Sequence, residues 1–520
     1  MIARQGFWVT LNNVAGAVQG FAALFLVARY MGDEALGSRS YALAFVALAG
    51  ILARLGFPTT HVRRLAQGDE SAASIGTFLA LKLALTLALV TAGAAIWLAL
   101  GPNTLQDTTP TAILLAFGIV VVQSLRDVPV ATFQGLRRIR DRELVLFTNT
   151  AVTVALTALV AIAFAASHGR WSPVAGAATS FQSLLGLTGP MALDTGIDLL
   201  LGAVLVGEAV ALVLATGLFV RARIAVAKPS RRIARLYLAF TLPLMLLAVG
   251  EVATKWSSQV LLGFWWDASE LGQFAAPSKL SELFLILGTS LSVVLLPALS
   301  TLHSRGQDGE ALRLAQAAER WTSLLLWPVL TIVLLIPGSL IHVGLSDRFA
   351  RGESALVLLS AQAFLTGLLF PVQALAISSG RPRFAARVIL ATLVAALLLN
   401  LVLVPPAGGA WPSLGLGATG AALAALGATA LAFLLYRIPT ATWPGHPLFR
   451  RNLLLHAVAA GLTFAAFRLA RIPEPERFVT LMPYGLGVIA LYGIVLVLLR
   501  ELRRGDWGDL RRLLATSKSD

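Results

Sequence analysis

Long runs of apolar residues recur along the chain, separated by short polar segments. Ala80 to Leu100, Ala151 to Ala166 and Ala421 to Leu435 are three of them. A bilayer core needs roughly 20 apolar residues per helix. A barrel strand needs only about ten, alternating in character. These runs do not alternate, so the pattern predicts helices. It places about fourteen spans, at 7–30, 39–57, 76–100, 111–133, 144–167, 198–220, 236–264, 272–298, 319–340, 353–377, 388–404, 416–436, 452–470 and 479–499.

The polar segments between them alternate in charge. One set holds Arg63 and Arg64; Arg137, Arg138, Arg140 and Arg142; Arg221, Arg223, Lys228, Arg231, Arg232 and Arg235; and a further series that includes Arg437. With the two termini this side carries roughly 27 Lys/Arg against about 5 on the other. The positive-inside rule then puts the rich side, with both termini, in the cytoplasm. One missed or invented span would scramble this alternation, so the count is even. The opening segment runs straight into a full span with no small-residue cleavage site and reads as a first transmembrane helix. The expected location is the cytoplasmic (inner) membrane, multi-pass.

Composition agrees with this picture. Of 520 residues, 57% are hydrophobic and only 13% charged, with a mean hydropathy of +0.79. A soluble chain usually carries about 25% charged residues. The net charge of +15 would suggest nucleic acid in a soluble protein; here the cations lie in inter-span loops, so topology explains them and no nucleic-acid partner is expected. There is no cysteine, and no histidine pair has metal-ligand spacing on a helix. No phosphate-binding loop is present. Neither a metal nor a cofactor is expected, and no catalytic residue is assigned.

Internal repetition organises the spans. The turn after span one reads MGDEALGSRSYA and the turn after span seven reads WDASELGQFAA. Leu36-Gly37 and Leu271-Gly272 match, and Gly suits a tight turn because it accepts φ > 0. The two halves share an orientation. The expectation is an all-α polytopic protein with two six-helix lobes in a parallel pseudo-two-fold arrangement around a cavity, plus two C-terminal helices. The predicted partition is 1–220, a basic linker at 221–235, 236–437, and 438–520.

Ionisable residues inside spans mark functional candidates because burying them is costly. Lys82, near the start of span three, and Arg54, at the end of span two, are placed to snorkel. Arg126 and Asp127 are adjacent in span four and point about 100° apart. Glu208 lies mid-span with no partner visible in sequence. Spans seven and eight are the richest. Glu251 and Lys255 are four apart, and Lys279 and Glu282 three apart, so each pair shares a helix face. They read either as charge-neutralising pairs or as a polar cavity wall, in which Lys255 and Lys279, with Arg54, bind an anionic substrate. Glu251, Glu282 and Asp127 are then the carboxylates available for coupling.

The stretch ARYMGDEALGSRSYALAFVALAGILARLGFPTTHVRRLAQGDE resembles the opening of Wzx-type flippases for polysaccharides and lipid-linked oligosaccharides. These belong to the multidrug/oligosaccharidyl-lipid/polysaccharide exporter superfamily. The resemblance rests on Arg29, Leu36-Gly37, Leu55-Gly56 and Arg63-Arg64, echoed by ASELGQFAAPSKL in the second half. Arg54 departs from the family pattern. The resemblance implies fourteen spans, two lobes, and translocation of a polyprenyl-phosphate-linked glycan within a membrane, alongside glycan-assembly enzymes. The rival readings are a cation-coupled exporter of small molecules from the same superfamily, normally of twelve spans, and a membrane glycan polymerase or ligase, which would need a large outer loop.

Overall fold

A computed structural model of the chain describes residues 2–54, 57–66, 71–100, 109–169, 189–379, 382–408, 412–440 and 451–501, and among these there is no strand. Among the described residues fourteen long helices stand where fourteen spans are predicted. In chain order the helices are α1 (Ile2–Tyr30), α2 (Asp33–Arg54), the short α3 (Phe57–Ala66), α4 (Ser71–Leu100), α5 (Pro110–Gly135), α6 (Ile139–Ser167), α7 (Leu193–Arg221) and α8 (Arg231–Trp265). They continue as α9 (Ala268–Ser304), α10 (Asp308–Leu335), the short α11 (Pro337–Gly344), α12 (Glu353–Ser378), α13 (Pro382–Leu403), α14 (Gly417–Thr440), α15 (Arg451–Leu469) and α16 (Phe478–Leu498). Ten of these, among the described residues, are long and apolar enough to cross a membrane by themselves. The protein is an all-α, multi-pass membrane protein. The segment 168–197 between two predicted spans resolves at its far end into the first turn of α7, and residues 170–188 lie outside the described residues.

Local sequence sets the helix ends. Thr109 caps α5, its Oγ1 accepting from the Ala112 N–H at 3.0 Å, with Pro110 in the first helical position. At the other end of α5, Arg137 adopts φ 58°. The Arg138 N–H bonds the Phe133 carbonyl at 2.8 Å and the Arg137 N–H bonds Gln134 at 3.1 Å. This closing pattern satisfies two terminal carbonyls. It recurs where Arg223 (φ 50°) ends α7 and Arg500 (φ 54°) ends α16. Glycine would adopt this backbone more cheaply; arginine adds a cation beside the negative end of the helix. Some of the loop cations therefore terminate helices as well as setting topology.

Packing divides the chain into two compact units, Met1–Ala275 and Ala276–Asp520. In the first, α6 packs on α7 and α1, α5 on α7, and α2 on α8. At its basic-loop end a cluster of Phe57, Phe78, Val128, Ala131, Ile233 and Tyr237 joins α3, α4, α5 and α8. In the second unit α14 packs on α12 and α13, α12 on α10, and α15 and α16 pair beside α10.

The matched Leu-Gly positions behave differently from the sequence expectation. Asp33 and Glu34 already occupy the first turn of α2, and Gly37 and Gly272 are helical. The positive-φ residue of the first turn is Gly32, at 94°. Gly37 and Gly272 are needed for close approach instead. A Cβ on Gly37 would overlap the Ala268 carbonyl, and one on Gly272 would overlap the Asp33 carbonyl. Within the first unit these two helix starts thus pack backbone to backbone. Asp33 seals the junction, accepting hydrogen bonds from Ser269 Oγ and, at 3.2 Å, from Gln273 Nε2.

Candidate functional site

Two groups of ionisable residues stand out, and they differ in burial. The first lies inside the first unit, on four helices. Lys82 of α4 is 1% exposed and its Nζ lies 3.2 Å from Asp127 of α5. Arg126 touches Asp127 at 3.5 Å and reaches across to Glu208 of α7 at 2.8 Å. Asn149 of α6 donates to the same carboxylate at 3.2 Å, and Gln123 of α5 at 3.5 Å. Thr86 and Ser124 pair one turn away. Two cations meet two carboxylates, so the net charge is zero.

This arrangement corrects two expectations and agrees with a third. Lys82 does not snorkel: it is buried, with the opposite charge of Asp127 at 3.2 Å. Glu208 has a partner in Arg126, 82 positions earlier in the chain and on another helix. Arg126 and Asp127, splayed by about 100° on their helix, serve different neighbours, α7 and α4 respectively. The residue that permits the α6–α7 approach is Gly207, where a Cβ would overlap Thr153.

The second group comprises the residues on α8 and α9. Lys255 is exposed and its Nζ sits 5.9 Å from the centre of the Trp256 ring. Lys279 is also exposed and pairs with Glu282 at 2.9 Å, the i,i+3 pair read from the sequence. Lys279 and Glu282 retain 44% and 35% side-chain exposure, so neither is committed to the protein interior. The side chains of Arg54 and Glu251 lie outside the described residues. Asp127 belongs to the buried group and not to this one.

Sequence reading missed several pairings in the second unit. Arg437, counted above as a loop cation, is 1% exposed and forms an ion pair with the equally buried Glu319 of α10, its guanidinium 5.1 Å from the Phe433 ring centre. One residue on, Arg320 holds Glu501 through the carboxylate at 2.8 Å and through the backbone carbonyl at 2.8 Å. His456 of α15 contacts Ser323 at 3.0 Å and lies 3.6 Å from the same carboxylate. This cluster fastens α15 and the end of α16 to α10. The adjacent Glu319-Arg320 in an apolar helix was the available signal; their partners, more than a hundred residues away, left none.

A smaller buried group sits in α3. His61 Nε2 lies 3.1 Å from Thr132 Oγ1, which itself donates to the Val128 carbonyl at 2.8 Å. Nε2 must therefore carry the proton, leaving Nδ1 to accept from the Tyr237 hydroxyl at 2.6 Å. Burial, aided by Arg64, pushes the imidazole down to about 3. The neutral ring stacks on Phe78 at 4.2 Å. Among the described residues no cluster of three potential metal ligands occurs.

Comparison with known proteins adds the lineage. Two family models, both described as polysaccharide biosynthesis protein, match residues 2–193 and 186–352. No curated protein matches the chain. Among solved structures, the lipid II flippase MurJ in an inward closed conformation is similar over 94% of this chain and 98% of its own, at 13% identity and a TM-score of 0.70. An inward-facing multidrug resistance MATE family transporter of the MOP superfamily aligns over 82% of this chain and 94% of its own, at 14% identity and a TM-score of 0.57. A MOP superfamily transporter from Pyrococcus furiosus, described as having a binding pocket of reverse polarity, aligns over 84% and 95%, at 16% identity and a TM-score of 0.52. At these identities the structures establish a shared fold. Over residues 2–352 the chain is similar to the polysaccharide biosynthesis proteins that these two models describe.

Proposed function

We propose that this protein is a flippase that moves a polyprenyl-phosphate-linked oligosaccharide from the inner to the outer leaflet of the cytoplasmic membrane, with both termini in the cytoplasm. The observation that carries the reading is the pair of polysaccharide biosynthesis matches across most of the first 352 residues. The physical task is to carry a glycan and a phosphate through hydrocarbon while the lipid tail stays in the bilayer. A phosphate entering a low-dielectric space must exchange its hydration for fixed cations. Lys255 and Lys279 are suited to this because both are exposed. Arg54 would add a bidentate contact. Glu282 holds Lys279 between cycles and releases it when substrate arrives; Glu251, four residues from Lys255, is assigned the same role. Rocking of two lobes, 1–220 and 236–437, would give alternating access.

Glu251 and Glu282 are the better candidates for coupling to an ion gradient. The charge of Asp127 is already met by Lys82 and Arg126, and an incoming cation would compete with two that are fixed. The rival reading, a cation-coupled exporter of small molecules, draws on the MATE-like fold. It is weakened by the two helices beyond twelve, α15 and α16, which are fastened to α10 through His456–Ser323 and Arg320–Glu501.

The test is translocation of a fluorescent polyprenyl-diphosphate oligosaccharide in proteoliposomes, with protein abundance measured in parallel. Lys255→Ala and Lys279→Ala should each abolish translocation at unchanged abundance. If Glu251→Gln combined with Lys255→Gln transports fully, Lys255 has no part in the substrate site. Transport of cationic drugs with none of the lipid-linked glycan would favour the rival.

A further inference from the structure

The segment joining α7 to α8 is a strap with unusual fixity for a loop. The Ala227 N–H bonds the Ala72 carbonyl at 3.0 Å, and the Ser230 N–H bonds Thr77 Oγ1 at 2.9 Å. Gly76 lets the strap lie flat on α4, since a Cβ there would overlap the Ala227 carbonyl. At one end Ile224 packs with Phe133, Val145, Ala211 and Ala215. At the other, Ile233 and Tyr237 are fully buried. Its six cations Arg221, Arg223, Lys228, Arg231, Arg232 and Arg235 are all exposed, and the stretch 221–238 holds no acidic residue.

The strap joins the ends of two long apolar helices, which puts it at the boundary between water and membrane. Exposed side chains grade across that boundary. Arg231, Arg235 and Leu238 share one face of α8 at i, i+4 and i+7, passing from cation to a leucine that is 50% exposed. On α7, Val213 and Val220 are more than two-thirds exposed and Arg221 follows at once. Val226, in the strap itself, is 50% exposed. A row of cations above exposed aliphatics matches a surface of anionic headgroups above acyl chains. Because the strap is pinned already, binding need not order it.

We infer that this strap is a docking site for the phosphate headgroups of anionic phospholipids in the surrounding leaflet. It is distinct from the substrate lysines of α8 and α9 and does not depend on which molecule the protein carries. It would order the lipid beside the α7–α8 connection. Open display along a surface, with no enclosing pocket, favours many weakly held bulk lipids over one tightly held substrate.

The experiment uses the full chain in nanodiscs of mixed phosphatidylglycerol and phosphatidylcholine, reading the motionally restricted fraction of each spin-labelled lipid. Wild type should hold phosphatidylglycerol at least about threefold over phosphatidylcholine, and raised salt should erase the preference. Replacing Arg221, Arg223, Lys228, Arg231 and Arg235 together by Gln should bring the ratio near one. Removing as many cations elsewhere (Arg140, Arg305, Arg313, Arg383 and Arg387 to Gln) should leave most of it. No salt-sensitive preference in wild type overturns the proposal without reference to any variant, as does equal loss in the two variants. A third arm offers polyprenyl diphosphate in phosphatidylcholine alone. If the strap variant loses that binding while keeping its phosphatidylglycerol preference, the strap is a substrate dock and the lipid assignment is wrong.

Discussion

The ionisable residues inside α4, α5 and α7 and those on α8 and α9 are alike in sequence: lysines, one arginine and carboxylates in otherwise apolar helices. Their surroundings make them opposites. Lys82, Arg126, Asp127 and Glu208 have spent their charge on one another, across helices at 2.8 and 3.2 Å. Lys255 and Lys279 are exposed, and the Lys279 partner is its near neighbour in sequence. A cation matched by carboxylates fixed on other helices holds those helices in register. A cation matched within its own helix can be released without moving a helix. The comparison teaches that an intramembrane charge is read by where its partner comes from, more than by its depth.

The sharpest way to break the contrast is to orphan a buried charge. Arg126→Ala removes the cation 2.8 Å from Glu208, and Glu208→Ala leaves the positive charge of Arg126 and Lys82 in excess. Either should cost about 3–5 kcal/mol and lower both abundance and the unfolding midpoint in detergent. Arg126→Met with Glu208→Leu should recover most of that loss, since replacing both partners by apolar groups is often neutral. The α8–α9 lysines should respond in the opposite manner, with transport lost and stability retained. Equal destabilisation by Lys255→Ala and Arg126→Ala would erase the distinction.

The junction of α2 and α9 offers an intermediate effect. Gly37→Val or Gly272→Val forces a branched side chain into a backbone carbonyl. Overpacking of this kind costs about 1–3 kcal/mol, and substituted cysteines placed on either side of the junction should become more accessible to thiol reagents.

A smaller effect concerns pH. His61 is neutral in the fold and held far below its free value. In the unfolded state it takes a proton below about pH 6.5. Its contribution to stability is therefore complete above that pH and declines as pH falls from there toward 3. Corrected for the intrinsic exchange rate, amide protection along α3 should fall between pH 6.5 and 5, and His61→Gln should flatten the slope. The smallest effect is expected at Arg137. Arg137→Ala should leave transport nearly intact, while Arg137→Gly, which accepts φ 58° without strain, should raise the unfolding midpoint slightly.

Span number, helical character and the alternation of basic loops were legible in the sequence because they follow from local composition and period. Each of the fourteen predicted spans overlaps a long helix, with ends displaced by a few residues where a polar first turn such as Asp33-Glu34 extends a helix, and by eleven where the polar stretch from Asp308 precedes the apolar part of α10. The Lys279–Glu282 pair was legible for the same reason: helical geometry alone brings i and i+3 together. Partners contributed by other helices were not. Lys82 with Asp127, Arg126 with Glu208, Glu319 with Arg437 and Arg320 with Glu501 are 45, 82, 118 and 181 positions apart, and no period in the chain links them. The glycines of the two matched turns were found from sequence but given a conformational role, when what selects them is the distance to another backbone. Patterning thus determined which segments enter the membrane and in what order. Tertiary packing decided which charges are neutralised inside and which stay exposed, because a buried charge is tolerable only where a second helix delivers its counterpart.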